Sequence, residues 1–224
     1  MKPARSPGMR SRHADARPQQ SAMTPLDQMT VGELLGLVAS KAPVPGGGAV
    51  AGLIAGLGAA LGGMVVAYSL GRKTLAAHQP MLEHEAAHLE SLRRECLRLG
   101  DADAVAYERL NALQRLAPDD PERAMRYAQA VDEAIDVPMR VAGVCGRMMQ
   151  GLRGLAGASN PHLKSDLAIA GVLALAGAEA ARWNVVINLR DVGDESRRAA
   201  IRAEVDRMVA QAAALKAELD ELCS

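Results

Sequence analysis

The sequence predicts an all-α protein, a multi-helix up-and-down bundle with a buried, glycine-rich central helix. Apolar residues recur at alternating steps of three and four over two long segments, the pattern of helices packed side by side. No segment shows the sustained apolar–polar alternation of a half-buried strand. Aromatic residues make up only 2% of the chain, and the apolar ones are mainly Ala, Leu, Val and Met. This composition favours close-packed helices over strands.

Residues 1–25 differ from the rest of the chain. Basic residues lie there among Pro, Ser and Gln without the apolar stretch of a secretory signal: Lys2, Arg5, Arg10, Arg12 and Arg17. We expect a disordered basic tail, with an Arg-rich transit peptide as the alternative. The 224 residues suit one domain, which we place at residues 26–224.

The first predicted helix is short. Thr30 and Glu33 have the spacing of a capping box, which marks a helix start. Four apolar residues are predicted to face inward: Leu34, Leu35, Leu37 and Val38. Two prolines and three glycines within residues 43–48 end this helix.

The second predicted helix covers residues 49–75. Residues 42–71 carry no charge and are long enough to cross a bilayer, which takes about 20 apolar residues. About a third of them are Gly or Pro, and no aromatic belt marks both ends. We therefore interpret this helix as one packed tightly inside a bundle or at a dimer interface. A membrane span is the alternative.

The third predicted helix covers residues 80–116. Its inward positions form one unbroken seam: Leu89, Leu92, Cys96, Leu99, Asp103, Ala106, Leu110 and Leu113. One member of this seam is a carboxylic acid. Further helices are predicted up to residue 135, over 138–155 and over 165–189, and Pro138 either kinks one rod or starts a second. The last helix follows Asp194, and its seam is Ile201, Val205, Met208, Ala212, Leu215, Leu219 and Leu222.

Composition excludes several kinds of partner and site. The formal net charge is zero, so no overall field favours nucleic acid or an acidic membrane, and aromatic platforms for base stacking are scarce. The three cysteines are widely spaced and odd in number, which predicts neither a disulfide framework nor a metal-binding pair: Cys96, Cys145 and Cys223. A reducing, cytoplasmic location is the simplest interpretation.

Asp103 is the sharpest chemical signal. Burial of a carboxyl group raises its pKa or demands a polar partner, and a carboxyl with a raised pKa exchanges protons near neutrality. Tyr107 lies one turn further along and can reach it. The alternative is a structural Asp that cross-links helices. Asp101 points elsewhere and is expected to be solvated.

The sequence His84-Glu85-Ala86-Ala87-His88 matches HExxH, the signature of zinc peptidases. The short motif arises readily by chance, and both histidines fall mostly off the inward seam. Glu108, a candidate third ligand, lies on the same helix about 30 Å away. We therefore expect no metal here and keep a zinc peptidase as a minor alternative.

Several polar residues are candidates for binding a ligand. Gly46, Gly47 and Gly48 precede a helix, whose bare N–H groups suit an anion or a polar ligand edge. Asn184 and Asn188 share one face of an apolar helix and could bind the edge of a heterocycle or satisfy backbone groups. Cations could hold carboxylates or remain solvated: Arg72, Lys73 and Lys164. Asp166 follows Ser165 in the first turn of its helix, where capping is the simpler role.

Together, these stretches resemble the cyclodeaminase domain of formiminotransferase-cyclodeaminases and the stand-alone methenyltetrahydrofolate cyclohydrolases. The resemblance runs from about residue 24 to the C-terminus. The matching segments keep the family's order: PVPGGGAVAG at 43–52, GRK at 71–73, DADAVAY at 101–107, VP at 137–138, SDLAIA at 165–170 and NVVINLRDVGDE at 184–195.

The resemblance implies an all-α homodimer or higher homo-oligomer that acts on folate-bound one-carbon units, with no metal and no tightly bound cofactor. Its catalytic aspartate falls at Asp103, and Tyr107 is expected to orient it. Substrate-binding positions are expected at Gly46, Gly47, Gly48, Arg72, Lys73, Ser165, Asp166, Asn184 and Asn188, with Arg72 and Lys73 at the glutamate tail.

Two reactions remain open, and they share 5,10-methenyltetrahydrofolate. A cyclohydrolase opens it to 10-formyltetrahydrofolate, whereas a cyclodeaminase forms it from 5-formiminotetrahydrofolate with release of ammonia. Net charge and composition, as given above, predict no nucleic-acid or membrane partner. A non-catalytic helical homodimer that binds no folate is the alternative from a different class.

Overall fold

The computed structural model describes residues 24–224, which form six α-helices joined by 3₁₀ turns and loops. These are α1 Val31–Val38, α2 Gly47–Ala67, α3 Gln79–Gln114, α4 Pro121–Leu155, α5 Lys164–Asn188 and α6 Glu195–Cys223. No strand occurs in this part of the chain, so the all-α prediction is confirmed. The tail predicted for residues 1–25 lies outside the described residues up to residue 23.

Helix α1 begins with the predicted capping box. The Thr30 hydroxyl accepts from the Glu33 N–H, and the Glu33 carboxylate accepts from the Thr30 N–H at 2.8 Å. The prediction that four apolar residues of α1 face inward is wrong for three of them. Only Leu34 is buried, and the others are exposed: Leu35, Leu37 and Val38. This short helix touches the bundle through a small cluster that joins Leu34 to Leu26 and Ala49.

Helix α2 ends at Ala67, eight residues before the predicted end. Gly71 adopts a φ of 72°, a left-handed conformation that suits glycine and stops a helix. Residues Lys73–His78 continue as a 3₁₀ helix. The Gln79 amide holds this turn, since its oxygen accepts from the Gly71 N–H at 2.8 Å and its nitrogen donates to the Leu75 carbonyl at 3.1 Å.

The glycines of α2 allow three helices to approach it closely. A Cβ on Gly52 would lie 2.7 Å from the carbonyl oxygen of Cys96 on α3. A Cβ on Gly58 would lie 3.1 Å from the carbonyl oxygen of Ala170 on α5, and one on Gly62 would lie 2.6 Å from Leu152 on α4. The prediction of a buried, glycine-rich helix is confirmed.

Two helical stretches in the described chain are long and apolar enough to cross a membrane by length and composition. They are Gly47–Ala67 and Pro161–Asp191. In the first, 56% of the apolar window is buried inside the bundle, as in a core helix that packs against other helices.

Helices α3 and α4 are long rods. All members of the α3 seam are buried except Asp103, which is half-buried. Helix α4 runs unbroken through Pro138, so the interpretation of a second helix starting there was wrong. A proline removes one backbone hydrogen bond, and the buried face of this long rod maintains the helix across it. Asp120 caps α4 by accepting from the Glu122 N–H at 2.8 Å.

Helices α5 and α6 begin close to the predicted residues. Asp194 caps α6 by accepting from the Ser196 N–H at 2.8 Å. The α6 seam is only partly buried: Val205, Ala212 and Leu219 are in the core, whereas Leu222 is 47% exposed. This helix lies at the edge of the bundle against α4 and α5, which leaves the end of its seam uncovered.

Neighbouring helices run in opposite directions. Gly48 lies beside Asp103 and Gly62 beside Leu89, which makes α2 and α3 antiparallel. Gly47 lies beside Asn184 and Gly58 beside Ala170, so α2 and α5 are antiparallel as well. The up-and-down bundle is therefore confirmed, and the start of α2 meets the end of α5 and the middle of α3.

Candidate active site

A cleft of about 240 Å³ opens where these three helices meet. Its walls include the start of α2, the middle of α3, Ala134 of α4 and the end of α5. Seven of the predicted site residues line it: Gly46, Gly47, Gly48, Asp103, Tyr107, Asn184 and Asn188. Among the lining residues that were not predicted, Arg190 is the one that carries a charge.

The glycine loop lets α3 approach α2 at the cleft. A Cβ on Gly48 would overlap the carboxylate of Asp103, and one on Gly47 would lie 3.2 Å from the Asn184 amide oxygen. Glycine is therefore needed at residue 48 so that the carboxyl group can sit against the first turn of α2. The loop before it contains a cis Val44–Pro45 bond.

The Asp103 carboxyl is poised to exchange protons. Burial raises its pKa from the ordinary 3.8 to about 6, and no neighbouring cation offsets that rise. Among the hydrogen bonds of residues 24–224, none involves this carboxylate, so it does not cross-link helices through hydrogen bonds. Burial without a polar partner is costly and is typical of functional carboxyl groups.

The two asparagines present acceptors to the cleft. Asn184 donates its amide N–H to the Ala180 carbonyl at 3.1 Å, and Asn188 donates to the Ala134 carbonyl at 2.8 Å. These bonds fix which way each amide points. Neither amide oxygen accepts a hydrogen bond from the described residues. The oxygens are thus available to accept from the N–H groups of a ligand.

Tyr107 lines the cleft one turn along α3 from Asp103 and is 46% exposed. Within the described chain its hydroxyl forms no hydrogen bond to Asp103. Its assignment as the residue that orients Asp103 stays a prediction.

Four predicted substrate-binding residues lie away from this cleft within one chain. Ser165 and Asp166 occupy the first turn of α5, about 28 Å from Asn184 at 1.5 Å per residue. Arg72 and Lys73 follow the far end of α2. Because α2 and α5 are antiparallel, all four residues share the end of the bundle opposite Asp103.

Asp101 was expected from the sequence to be solvated, and this expectation is wrong. Its carboxylate is half-buried and accepts from the Leu26 N–H at 3.0 Å. Burial raises its pKa, and this hydrogen bond acts in the opposite direction. Asp101 therefore anchors the segment before α1.

The HExxH segment forms a structural contact in this fold. The Glu85 carboxylate lies 3.2 Å from His88 Nδ1, within hydrogen-bond distance, and packs against Gly151 of α4. Among residues 24–224, no three His, Cys, Asp or Glu side chains are placed to hold a metal ion together.

Two larger grooves lie between α3 and α4, with volumes of about 520 and 690 Å³. Charged residues line both, and Arg109 pairs with Glu133 across them at 2.9 Å. Neither is lined by a half-buried carboxyl group without a polar partner, since Asp132 accepts from Arg197 and Glu133 from Arg109. The smaller Asp103 cleft is thus the better candidate active site.

Comparison with known proteins shows which family the chain belongs to. The family model described as formiminotransferase-cyclodeaminase matches residues 30–207. This chain belongs to that family. The formimidoyltransferase-cyclodeaminase of Sus scrofa is 31% identical over 179 residues, which cover 78% of this chain and 33% of that protein. The chain thus spans about a third of the length of that relative.

Two further relatives match over most of their length. The methenyltetrahydrofolate cyclohydrolase of Methylorubrum extorquens is 30% identical over 196 residues, 86% of this chain and 94% of that protein. The crystal structure of a formiminotetrahydrofolate cyclodeaminase from Thermotoga maritima superimposes with a TM-score of 0.81 at 26% identity, covering 88% and 96% of the two chains. The resemblance inferred from the sequence motifs is confirmed.

Arg190 is the cleft residue that sequence reasoning missed. It lies within NVVINLRDVGDE, one of the segments that carry the family resemblance. It follows the end of α5, in a 3₁₀ turn that the helical pattern does not predict. The presence of Arg190 in this family segment is the sequence signal that could have identified it as a site residue.

Proposed function

We propose that this family member is a folate one-carbon enzyme that acts at N5 and N10 of tetrahydrofolate. It would hydrolyse 5,10-methenyltetrahydrofolate to 10-formyltetrahydrofolate, convert 5-formiminotetrahydrofolate to 5,10-methenyltetrahydrofolate plus ammonia, or do both. The observation that carries the proposal is the Asp103 carboxyl, half-buried and without a hydrogen-bond partner among the described residues, at the wall of a cleft. The names of the relatives supply the substrate class.

In the hydrolysis, the Asp103 carboxylate removes one proton from water as its oxygen bonds to the methenyl carbon. The resulting acid then gives that proton to N5 as the carbon–N5 bond breaks. Loss of the remaining hydroxyl proton forms the formyl carbonyl, so one proton is released overall. A pKa near 6 lets one group serve as base and then as acid.

In the cyclodeamination, N10 attacks the formimino carbon attached to N5. Asp103 takes the N10 proton and passes it to the former imine nitrogen. A second proton, supplied by solvent through the same carboxyl, lets this nitrogen leave as ammonia and leaves the methenyl cation. The Asn184 and Asn188 oxygens would accept from ring N–H groups and hold the pterin beside Asp103.

The proposal includes no metal and no tightly bound cofactor, because a proton shuttle suffices for both reactions. We place the protein in the cytoplasm, where its three cysteines would stay reduced.

The direct test is Asp103→Asn. We expect its turnover to fall at least about 100-fold, the ordinary contribution of a positioned acid–base group. The wild-type protein should be assayed for methenyl hydrolysis and for ammonia release from 5-formiminotetrahydrofolate on the same sample, which assigns one or both reactions. Wild-type turnover in the folded Asp103→Asn variant would refute the role of Asp103.

We further propose that the protein works as a homodimer through α2 and α5. These helices pack together along their lengths, and each leaves apolar side chains exposed on its outer side. Leu57 of α2 is 52% exposed, and Trp183 of α5 is 66% exposed. Helix α2 carries no charged residue, and the exposed apolar residues of α5 flank a single charge, Glu179, so most of this face is poorly suited to water.

We propose a second copy of this chain as the partner that covers this face, because different predicted site residues lie at its two ends. Asp103 and the glycine loop are at one end, and Arg72, Lys73, Ser165 and Asp166 are at the other. A twofold axis across the middle of the face would place one end of each copy against the opposite end of its partner. The four remaining predicted residues would then reach the cleft of the other copy.

Complementation tests this arrangement. We expect Lys73→Ala and Asp103→Asn each to lose most activity alone. Co-expressed, they should form hybrid dimers with one intact site and recover about a quarter of wild-type activity. A monomer by analytical ultracentrifugation, or no recovery in verified hybrids, would refute a shared site.

A further inference from the structure

We infer that Arg190 binds the glutamate carboxylate of the folate tail, and so sets a preference for glutamylated substrate. The inference rests on the proposed function. The residues that line the cleft follow a defined order along it. Asp103 and Gly48 lie at one end. Tyr107 and then Leu110 follow along α3, and Leu110 lies about 10 Å beyond Asp103 at 1.5 Å per residue.

Helix α5 extends in the same direction along the opposite wall. Asn184 lies beside Gly47, and Asn188 follows one turn later. Arg190 comes next, and its neighbour Asp191 accepts from the Gln114 amide at 3.3 Å, one turn past Leu110 on α3. Arg190 is therefore at the end of the cleft away from Asp103.

This order matches the order of groups in the substrate. The reacting N5 and N10 belong beside Asp103. The benzoyl ring that follows N10 would then lie beside Tyr107, an aromatic ring against which it can pack. The glutamate that follows the benzoyl group would reach Arg190. The planar guanidinium suits a carboxylate because it can donate two parallel hydrogen bonds.

The Arg190 guanidinium is available to a ligand because its acidic neighbour is engaged elsewhere. One Asp191 oxygen accepts from the Tyr127 hydroxyl at 2.8 Å, and the other accepts from Gln114. The contact between Arg190 Nε and Asp191 is long, at 3.5 Å, and the Arg190 side chain is 67% exposed. Its terminal nitrogens form no hydrogen bond with the described residues, which leaves them available at the rim.

The other cations predicted to bind the glutamate tail lie far from this cleft within one chain. Arg72 and Lys73 lie at the far end of α2 and could reach this tail only from a second copy. Arg190 is the one Lys or Arg among the described residues lining the cleft. A glutamate tail has two carboxylates, so a cation from a partner and Arg190 can both bind it.

The test crosses one variant with two substrates. The substrates are 5,10-methenyltetrahydrofolate and 5,10-methenyltetrahydropteroate, which lacks only the glutamate. The variant is Arg190→Gln, and the control is Arg126→Gln. Arg126 is another arginine on the surface, 65% exposed at its side chain and paired with Glu122 away from the cleft.

With the glutamylated substrate, we expect Arg190→Gln to raise KM at least about tenfold while kcat stays within about twofold, the effect of losing a charged hydrogen bond made in both ground and transition states. The pteroate should show a raised KM with the wild-type protein, and the variant should leave that value unchanged. Arg126→Gln should match wild type with both substrates.

Two outcomes would overturn the assignment. Equal KM values for wild type and Arg190→Gln with the glutamylated substrate would remove Arg190 from binding. An equal rise with both substrates would place Arg190 at the ring or in a structural role. Wild-type turnover of the glutamylated substrate is measured in the same experiment, so failure of the proposed function itself is seen separately.

Discussion

Replacement of Asp103 by Asn should stabilise the folded protein while it removes the activity. Burial raises the pKa of this carboxyl from 3.8 to about 6. At about 1.36 kcal/mol per pKa unit, the ionised group costs the folded state up to about 3 kcal/mol. Asparagine has nearly the same shape and no charge. Because its amide also needs partners, we expect a net gain of about 1–3 kcal/mol at pH 8.

The gain should depend on pH in a defined direction. The raised pKa means that the folded state holds this proton more tightly than the unfolded state. Wild-type stability from this group is therefore complete below about pH 3.8 and is lost as pH rises through about 6. Among the pH values tested, the difference between Asp103→Asn and wild type should be smallest at pH 4 and reach its full size above pH 7.

Urea unfolding at pH 4, 5, 6 and 8 measures this difference, at one fixed protein concentration because any dimer would link stability to concentration. Asp119→Asn, at an exposed carboxylate in the loop before α4, is the control and should show no such pH-dependent gain. A loss of stability in Asp103→Asn that is the same at every pH would contradict this cost of ionising Asp103. A variant that gains stability and keeps full turnover would contradict the catalytic role of Asp103.

Further outcomes follow from the same geometry. Gly48→Ala should lower kcat at least about 100-fold because its Cβ displaces the Asp103 carboxyl. The control Gly63→Ala has nothing within 4 Å of its Cβ, so it should keep full activity and gain about 0.5–1 kcal/mol in free energy of unfolding. Equal kinetics for the two variants would contradict this expectation. Tyr107→Phe should keep kcat within about twofold, since the hydroxyl is unbonded and the ring is retained, and this result would contradict the predicted role of Tyr107 in orienting Asp103. A tenfold fall in a steady-state assay would instead support that role. Trp183→Glu should convert a dimer to monomers in analytical ultracentrifugation, because it places a charge on the apolar face, and an unchanged mass would exclude that face. His88→Ala should leave turnover unchanged in the presence of a chelator, and lost activity would revive the zinc interpretation.

Local patterns were sufficient for most helices. The capping box at Thr30 and the cap at Asp194 act over one turn, so the starts of α1 and α6 could be read from neighbouring residues. The end of α2 could not, because it depends on the left-handed Gly71 and on the Gln79 amide that holds the turn. Pro138 was ambiguous for a similar reason, since tertiary packing decides whether a helix continues through a proline.

Burial showed the same limit. The α3 seam was correct because a long amphipathic rod in a bundle has little choice of face. The apolar residues of α1 were misplaced, because a short surface helix has few neighbours to cover them. Leu222 was misplaced because the seam of an edge helix extends beyond the helices that bury it.

The sequence alone determined the helical class, the need for glycine where helices approach, the family, and the anomaly of an acid at Asp103 in an apolar seam. These follow from periodicity and residue type, which are properties of the chain itself. Only the tertiary structure decided which candidates meet: Asp103 lies with Gly48 and Asn184, whereas Lys73 is at the opposite end of the bundle. It also brought Arg190 into the cleft. Such distances depend on how antiparallel helices pair, and residue spacing along one helix does not contain that information.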